Sequence, residues 1–398
     1  MRSTSARALL LALALSSNSS CAYIPFAQAI PVDFPKSNPS QYTPALLPKD
    51  LSDGIAIAAD SLSSQQTKLL QQLDEQLRSG TYKDIHSLLI YSRDALVYEN
   101  YFKGTDDFIE FENDMKRNRS RPVKTWTQFD QHYVASVNNG ITSLLTGLAL
   151  DQTKASITKP IIECLPEYQK SFDTPEKRQI SIEDLLTMQS GFAWNEWGGP
   201  DLALLWHSNN FVNFLLARSN TGPGRTWTYN SAVPNVLLHC VQNLLHQPLR
   251  SWADENFFKK LGIKNYKWQN QRDAVPEASA RMFLRPRDLL KIGIMIKSEG
   301  VWQNQSVIPA EWIRTLHKTK VHAATDDYSY LTWLRDVDGH RYLSFEGDGG
   351  QYLNVYPDMQ LVVVLNQGNY LDYPLWRNQM DTIQKEFLFP AFTPKEKP

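Results

Sequence analysis

Ser136-Val137-Asn138-Asn139-Gly140-Ile141-Thr142-Ser143-Leu144-Leu145-Thr146-Gly147-Leu148-Ala149-Leu150 is the stretch on which the reading of this chain turns. Val137, Ile141, Leu144, Leu145 and Leu148 recur at helical spacing, so the segment predicts a core-facing helix with Ser136 at its N-terminal end. Such an end favours developing negative charge beside the serine. A serine hydroxyl is a poor nucleophile until a neighbouring base takes its proton, and a residue three positions later on a helix lies on the same face. Here that residue is Asn139, which hydrogen-bonds but accepts no proton. Taken alone, Ser136 also reads as an ordinary N-cap and Asn139 as a polar residue of the first turn.

Two further segments carry chemistry-bearing side chains. Pro223-Gly224-Arg225-Thr226-Trp227-Thr228-Tyr229-Asn230-Ser231 is a Gly/Pro turn leading into a helix, and offers a phenol beside small polar groups. Phe345-Glu346-Gly347-Asp348-Gly349-Gly350-Gln351-Tyr352 is a glycine cluster at a strand start, where the missing Cβ lets a ligand or another backbone approach closely. Read singly, Tyr229 is equally a half-buried aromatic and the glycines a tight turn or bulge.

Outward from these segments, residues 63–77 read as a helix ending before Ser79-Gly80, and 86–92 with 95–101 as a hairpin closed by Arg93-Asp94. Helical patterns follow at 182–189, 209–217, 233–245, 251–261 and 287–298. Strand patterns return at 328–336, 341–346, 352–356 and 361–367, before a last helix at 373–388. Strands at both ends around a helical centre predict an α+β fold: an antiparallel sheet flanked by helices, built from N- and C-terminal segments, with an inserted all-helical subdomain. We divide the chain into a leader (1–29), an arm and helix (30–84), and one large domain (85–398) whose sheet part is 85–135 and 270–398 and whose helical part is 136–269.

Composition excludes several function classes. The 41 basic and 42 acidic residues of the 398 balance, so no charge excess points to nucleic acid, and basic runs such as Lys116-Arg117-Asn118-Arg119 are short. The eight histidines are scattered and no Cys-x-x-Cys or His-Glu-x-x-His spacing occurs, so neither a metal nor another cofactor is expected. Arg2 and Arg7 precede the apolar run 8–15, and Ala27-Gln28-Ala29 offers a small-x-small cleavage site, which predicts export to the periplasm or beyond without a membrane span. Ser19-Ser20-Cys21 offers a rival lipid-anchor reading, weakened by the polar Asn18. Cleavage after Ala29 would leave Cys164 and Cys240, either one disulfide or two buried thiols.

Taken together, in this order and spacing, the three segments resemble the serine β-lactamase and penicillin-binding-protein superfamily, in its class C-like, esterase-like branch. Supporting likeness runs from residue 87 to 388, including Ile182-Glu183-Asp184-Leu185-Leu186-Thr187-Met188-Gln189-Ser190-Gly191, Ile308-Pro309-Ala310-Glu311-Trp312 and Tyr356-Pro357-Asp358. The resemblance implies that Ser136 is the nucleophile, that Asn139 stands where the family has lysine, and that Tyr229 assists proton transfer. It implies that Ser231 occupies a position often held by asparagine, and that Gly347, Asp348, Gly349, Gly350 and Gln351 form the substrate-facing third motif on an edge strand. The expected oxyanion hole is the backbone N–H of Ser136 with one near Gly350 or Gln351. Neither motif retains the family's cation; Lys124, Arg225 and Arg281 are candidate replacements. Two classes stay open: a serine hydrolase acting on a small-molecule or peptide ester, amide or β-lactam, impaired by Asn139, or a catalytically silent relative binding a peptide, cell-wall fragment or protein. Oligomeric state is not legible.

Overall fold

A computed structural model describes residues 48–58, 62–110, 116–117, 122–323 and 326–394. The expected leader, Cys21 and most of the arm lie outside the described residues, as does half of the 116–119 cluster.

The first helix, α1 (Ser64–Ser79), opens on a capping box between Ser63 and Gln66 and stops at Gly80 in the left-handed conformation. The hairpin follows as β1 (Ile85–Ser92) and β2 (Ala95–Tyr101), turning at Arg93, whose φ is 57°. After the central helices come β3 (Val321–Ala323), β4 (Asp326–Tyr328), β5 (Trp333–Val337), β6 (His340–Gly347), β7 (Gln351–Tyr356) and β8 (Leu361–Gln367). These eight strands form one antiparallel sheet in the order β3-β4-β5-β6-β7-β8-β1-β2. The N-terminal hairpin therefore docks against the last strand, as expected for a sheet assembled from both ends of the chain.

Both faces of the sheet are covered, which is why its central strands read as unbroken apolar runs. Along β8, Val362 and Val364 face one core with Leu89 of β1, while Leu361, Val363 and Leu365 face a second with Leu88 and Ile90. The first core holds α2 (Val137–Thr153), α3 (Val233–Leu245) and α4 (Pro286–Lys297). The second is roofed by α1 and by α5 (Tyr373–Ile383) through Leu70, Leu73, Leu77, Trp376 and Met380. Asp74 of α1 is buried and accepts from Tyr98 Oη at 2.8 Å and Asn100 Nδ2 at 2.5 Å, tying that helix to β2.

Four expectations change. The single strand expected at 328–336 is two, β4 and β5, broken at Ser329–Thr332 where Leu331 takes φ 55°. The central insertion is not wholly helical, because Lys267–Trp268 joins His132–Tyr133 and Met282–Leu284 in a small three-stranded sheet. The helices at 182–189 and 209–217 contract to Ile182–Leu186 and Phe211–Leu216, and those at 251–261 and 373–388 widen into π-turns at Asp254–Phe258 and Gln384–Leu388. The third motif ends β6, an internal strand, so it is not on a sheet edge.

Candidate active site

Ser136 follows a tight turn in which Ala135 adopts φ 47°, a conformation costing a non-glycine residue roughly 1–3 kcal/mol and found where surrounding structure enforces it. Against this turn lies Gly347 at the end of β6. A Cβ on Gly347 would lie 2.3 Å from the Val134 carbonyl oxygen and 3.1 Å from the Ser136 nitrogen, so only glycine lets strand and turn touch.

Although Ser136 occupies the cap position of α2, its side chain makes no capping hydrogen bond. Its hydroxyl instead lies beside the Tyr229 phenol, close enough to perturb it, and Asn139 Nδ2 donates to the phenol oxygen at 2.8 Å. The structure thus brings together Ser136, Asn139 and Tyr229, three residues selected from two distant stretches of sequence. Asn139 and Tyr229 are nearly sealed from solvent, at 3 % and 9 % exposure, while Ser136 is half-buried.

Burial pushes the Tyr229 phenol well above its ordinary value, and the nearby carboxylates Glu196 and Glu346 push it further; the Ser136 hydroxyl and the Asn139 amide pull only partly back. The candidate replacement cations have other surroundings. Lys124 pairs with Asp106 and Asp130 and lies over Trp126, Arg281 lies over Trp206, and Arg225 is exposed on its turn.

Ser231 does not join the phenol. Its Oγ donates to Glu196 Oε1 at 2.5 Å and its N–H to Oε2 at 3.1 Å, while Trp194 Nε1 donates to Oε2 at 2.6 Å. Burial pushes the Glu196 carboxyl up despite these donors. The neighbouring Trp197 is 62 % exposed and stacks on the Tyr229 ring at 5.8 Å, and Trp333 stacks on the same ring at 6.2 Å. Trp227 completes this aromatic wall against Tyr229 and Trp333. Trp206, close to these tryptophans in sequence, packs separately on Phe211.

The glycine cluster forms a tight β6–β7 hairpin. Gly349 and Gly350 take φ 83° and 89°, and the Gly350 N–H donates to the Gly347 carbonyl at 3.2 Å. Asp348 accepts from the Leu371 N–H at 2.9 Å. The Gln351 side chain is fully buried, donating to the Gln367 carbonyl and accepting from Asn366 Nδ2. The strand residue lying against the Ser136 amide is therefore Gly347, and Gly350 spends its N–H inside the turn.

Sequence reasoning missed Glu196, Arg335 and Arg377. Arg335 grips Glu346 through Nε and Nη2 at 2.8 and 2.7 Å, lies 4.3 Å over Trp333, and also pairs with Asp326; Arg377 adds a contact to Glu346 at 3.3 Å. A charged residue at an inward position of β5 was a visible signal for Arg335, but its partner was not. Glu196 had only its place between two tryptophans. Among the described residues no cluster of His, Cys, Asp and Glu suits a metal ion, and no helix is long and apolar enough to cross a membrane.

Solved structures share the fold at low identity. Simvastatin synthase (LovD) from Aspergillus terreus superposes with a TM-score of 0.61 at 12 % identity, covering 82 % of this chain and 98 % of that one. A hydrolase with promiscuous acyltransferase activity, EstCE1, gives 0.59 at 15 % identity over 83 % and 99 %. A family VIII carboxylesterase gives 0.60 at 14 % identity over 80 % and 93 %. No curated protein sequence matches the chain. The family described as Beta-lactamase matches residues 68–370, a span that begins inside α1 and holds every residue of the Ser136 cluster, and the chain belongs to that family.

Proposed function

We propose that this chain is an exported serine hydrolase that transfers an acyl group from a small ester, amide or β-lactam through Ser136, slowed because Asn139 stands where the family has a lysine. The observation that carries the reading is the Ser136 hydroxyl, which leaves its own helix uncapped and lies beside a buried phenol held by Asn139. As Ser136 Oγ attacks the acyl carbon, its proton passes to the Tyr229 oxygen while the phenol passes its own proton to the leaving group. A neutral phenol can run such a relay, receiving one proton as it gives another, without first becoming a phenolate. The α2 N-terminus and the Ser136 N–H face the developing oxyanion. Missing acid–base assistance from a cation costs about 10² to 10⁴ in rate. Positioning and oxyanion stabilisation leave about 10³ over water, by analogy with crippled catalytic triads.

The second reading is a silent relative that binds its ligand in the same cleft, and the raised phenol beside two carboxylates favours it. Intact-mass analysis after incubation with a fluorophosphonate or a penicillin separates the two. The hydrolase reading expects an adduct on the wild type and none on Ser136→Ala. No adduct on folded wild type at high probe concentration assigns the cleft to binding alone.

A further inference from the structure

Cys164 and Cys240 lie outside the Ser136 cluster, and the proposed acyl transfer uses neither. Cys164 ends the short helix Ile161–Cys164, and Cys240 sits midway along α3 on the stripe Val236, Leu237, Cys240 and Val241. Both are buried and unlinked, at 2 % and 0 % exposure; the two thiols are near enough to perturb each other, and Cys164 Sγ donates to the Pro160 carbonyl at 3.9 Å. A hydrogen bond joins the two segments independently of sulfur. Asn243, three residues beyond Cys240 on α3, donates Nδ2 to the Cys164 carbonyl at 2.8 Å. The two helices are thus already latched side by side, so a disulfide can join them with little movement of either. Their chemistry is unequal: the neighbouring Cys240 thiol and the charge of Lys159 favour a thiolate on Cys164, whereas Cys240 is sealed among apolar side chains.

We propose that Cys164 and Cys240 form a dithiol that closes into a structural disulfide when the chain folds in an oxidising compartment, clamping α3 to the short helix Ile161–Cys164. With glutathione disulfide as oxidant, the Cys164 thiolate attacks one of its sulfurs and expels a glutathione thiolate. Cys240, losing its proton, then attacks Sγ of Cys164 and expels the second. The protein gives up two protons and two electrons, and one glutathione disulfide becomes two glutathione thiols. Burial of both sulfurs places the exchange during folding. The clamp holds the helix that directly follows Tyr229 and Ser231, whether or not Ser136 turns over.

The full chain, unfolded and reduced, is refolded in a glutathione redox buffer and read by intact mass, thiol titration in denaturant and a non-reducing peptide map. The proposal expects the loss of two hydrogens, a cross-linked pair containing residues 164 and 240, and a melting temperature several degrees lower after dithiothreitol. Cys240→Ala should abolish that dependence on reductant. Titratable thiols at both positions in refolded protein, or a link from either one to Cys21, overturns it. If refolding fails, the same map on chain secreted into an oxidising compartment decides the question by the same two outcomes.

Discussion

Two buried carboxylates flank the Tyr229 phenol and are held in opposite ways. Glu196, in the loop after Trp194, receives three neutral donors and no cation, and burial leaves its carboxyl raised. Glu346, near the end of β6, is as deeply buried, but the guanidiniums of Arg335 and Arg377 outweigh the burial and hold it below its usual range. At equal burial the sign of the shift follows the cation. The protein does place cations within reach of this cleft, but commits them to a carboxylate and leaves the phenol with amide and hydroxyl partners.

The comparison breaks most visibly at Arg335. Arg335→Met keeps an apolar stem over Trp333 but leaves Glu346 with Arg377 as its main cation, and should cost about 3 kcal/mol of unfolding free energy in urea titrations at neutral pH. A loss within experimental error would show that the pair does not hold Glu346. Asn139→Lys supplies the phenol with the charge it lacks. If the rest of the cleft is intact, ester hydrolysis should rise about 10²-fold, with an alkaline optimum moving toward neutrality as Tyr229 is drawn down. An unchanged background rate in a folded variant would show that the missing cation is not what limits the site.

The smallest effect concerns pH. Because Glu196 is raised in the folded state, it favours folding fully below the ordinary carboxylate value of about 4.3, and that contribution is lost as pH rises through its raised value. Glu346 runs the other way: its contribution is present above about 4.3 and lost as pH falls through its lowered value. Glu196→Gln should flatten the stability decline above a pH of about 4.3 and leave the acid-side loss untouched, read from urea midpoints across pH. An unaltered profile would mean that Glu196 is not titrating in that window.

Periodicity made much of the fold legible. The bounds of α3 and β8 agree with the spacing of their apolar residues, and the hairpin of β1 and β2 agrees with its two-residue turn at Arg93-Asp94. What failed was local and has a physical cause. Nothing in the composition of 328–336 announces that Leu331 will adopt a left-handed φ and split the strand, because packing imposes that bend. Likewise, π-turns that widen two helix ends leave the apolar spacing almost unchanged.

The candidate site divides along the same line. Residue types and local spacing marked a serine at a helix start, an amide one turn on and a tyrosine before a long helix, and the family resemblance implied that they belong together. Only the tertiary structure decided that Gly347 rather than Gly350 meets the serine turn, that Ser231 and Gln351 serve the scaffold, and that Arg335 spends its charge on Glu346. Hydrogen bonds and ion pairs between residues tens to hundreds of positions apart leave no period in a sequence. They arise when separate segments meet in a closed, low-dielectric interior where every buried polar group must find a partner.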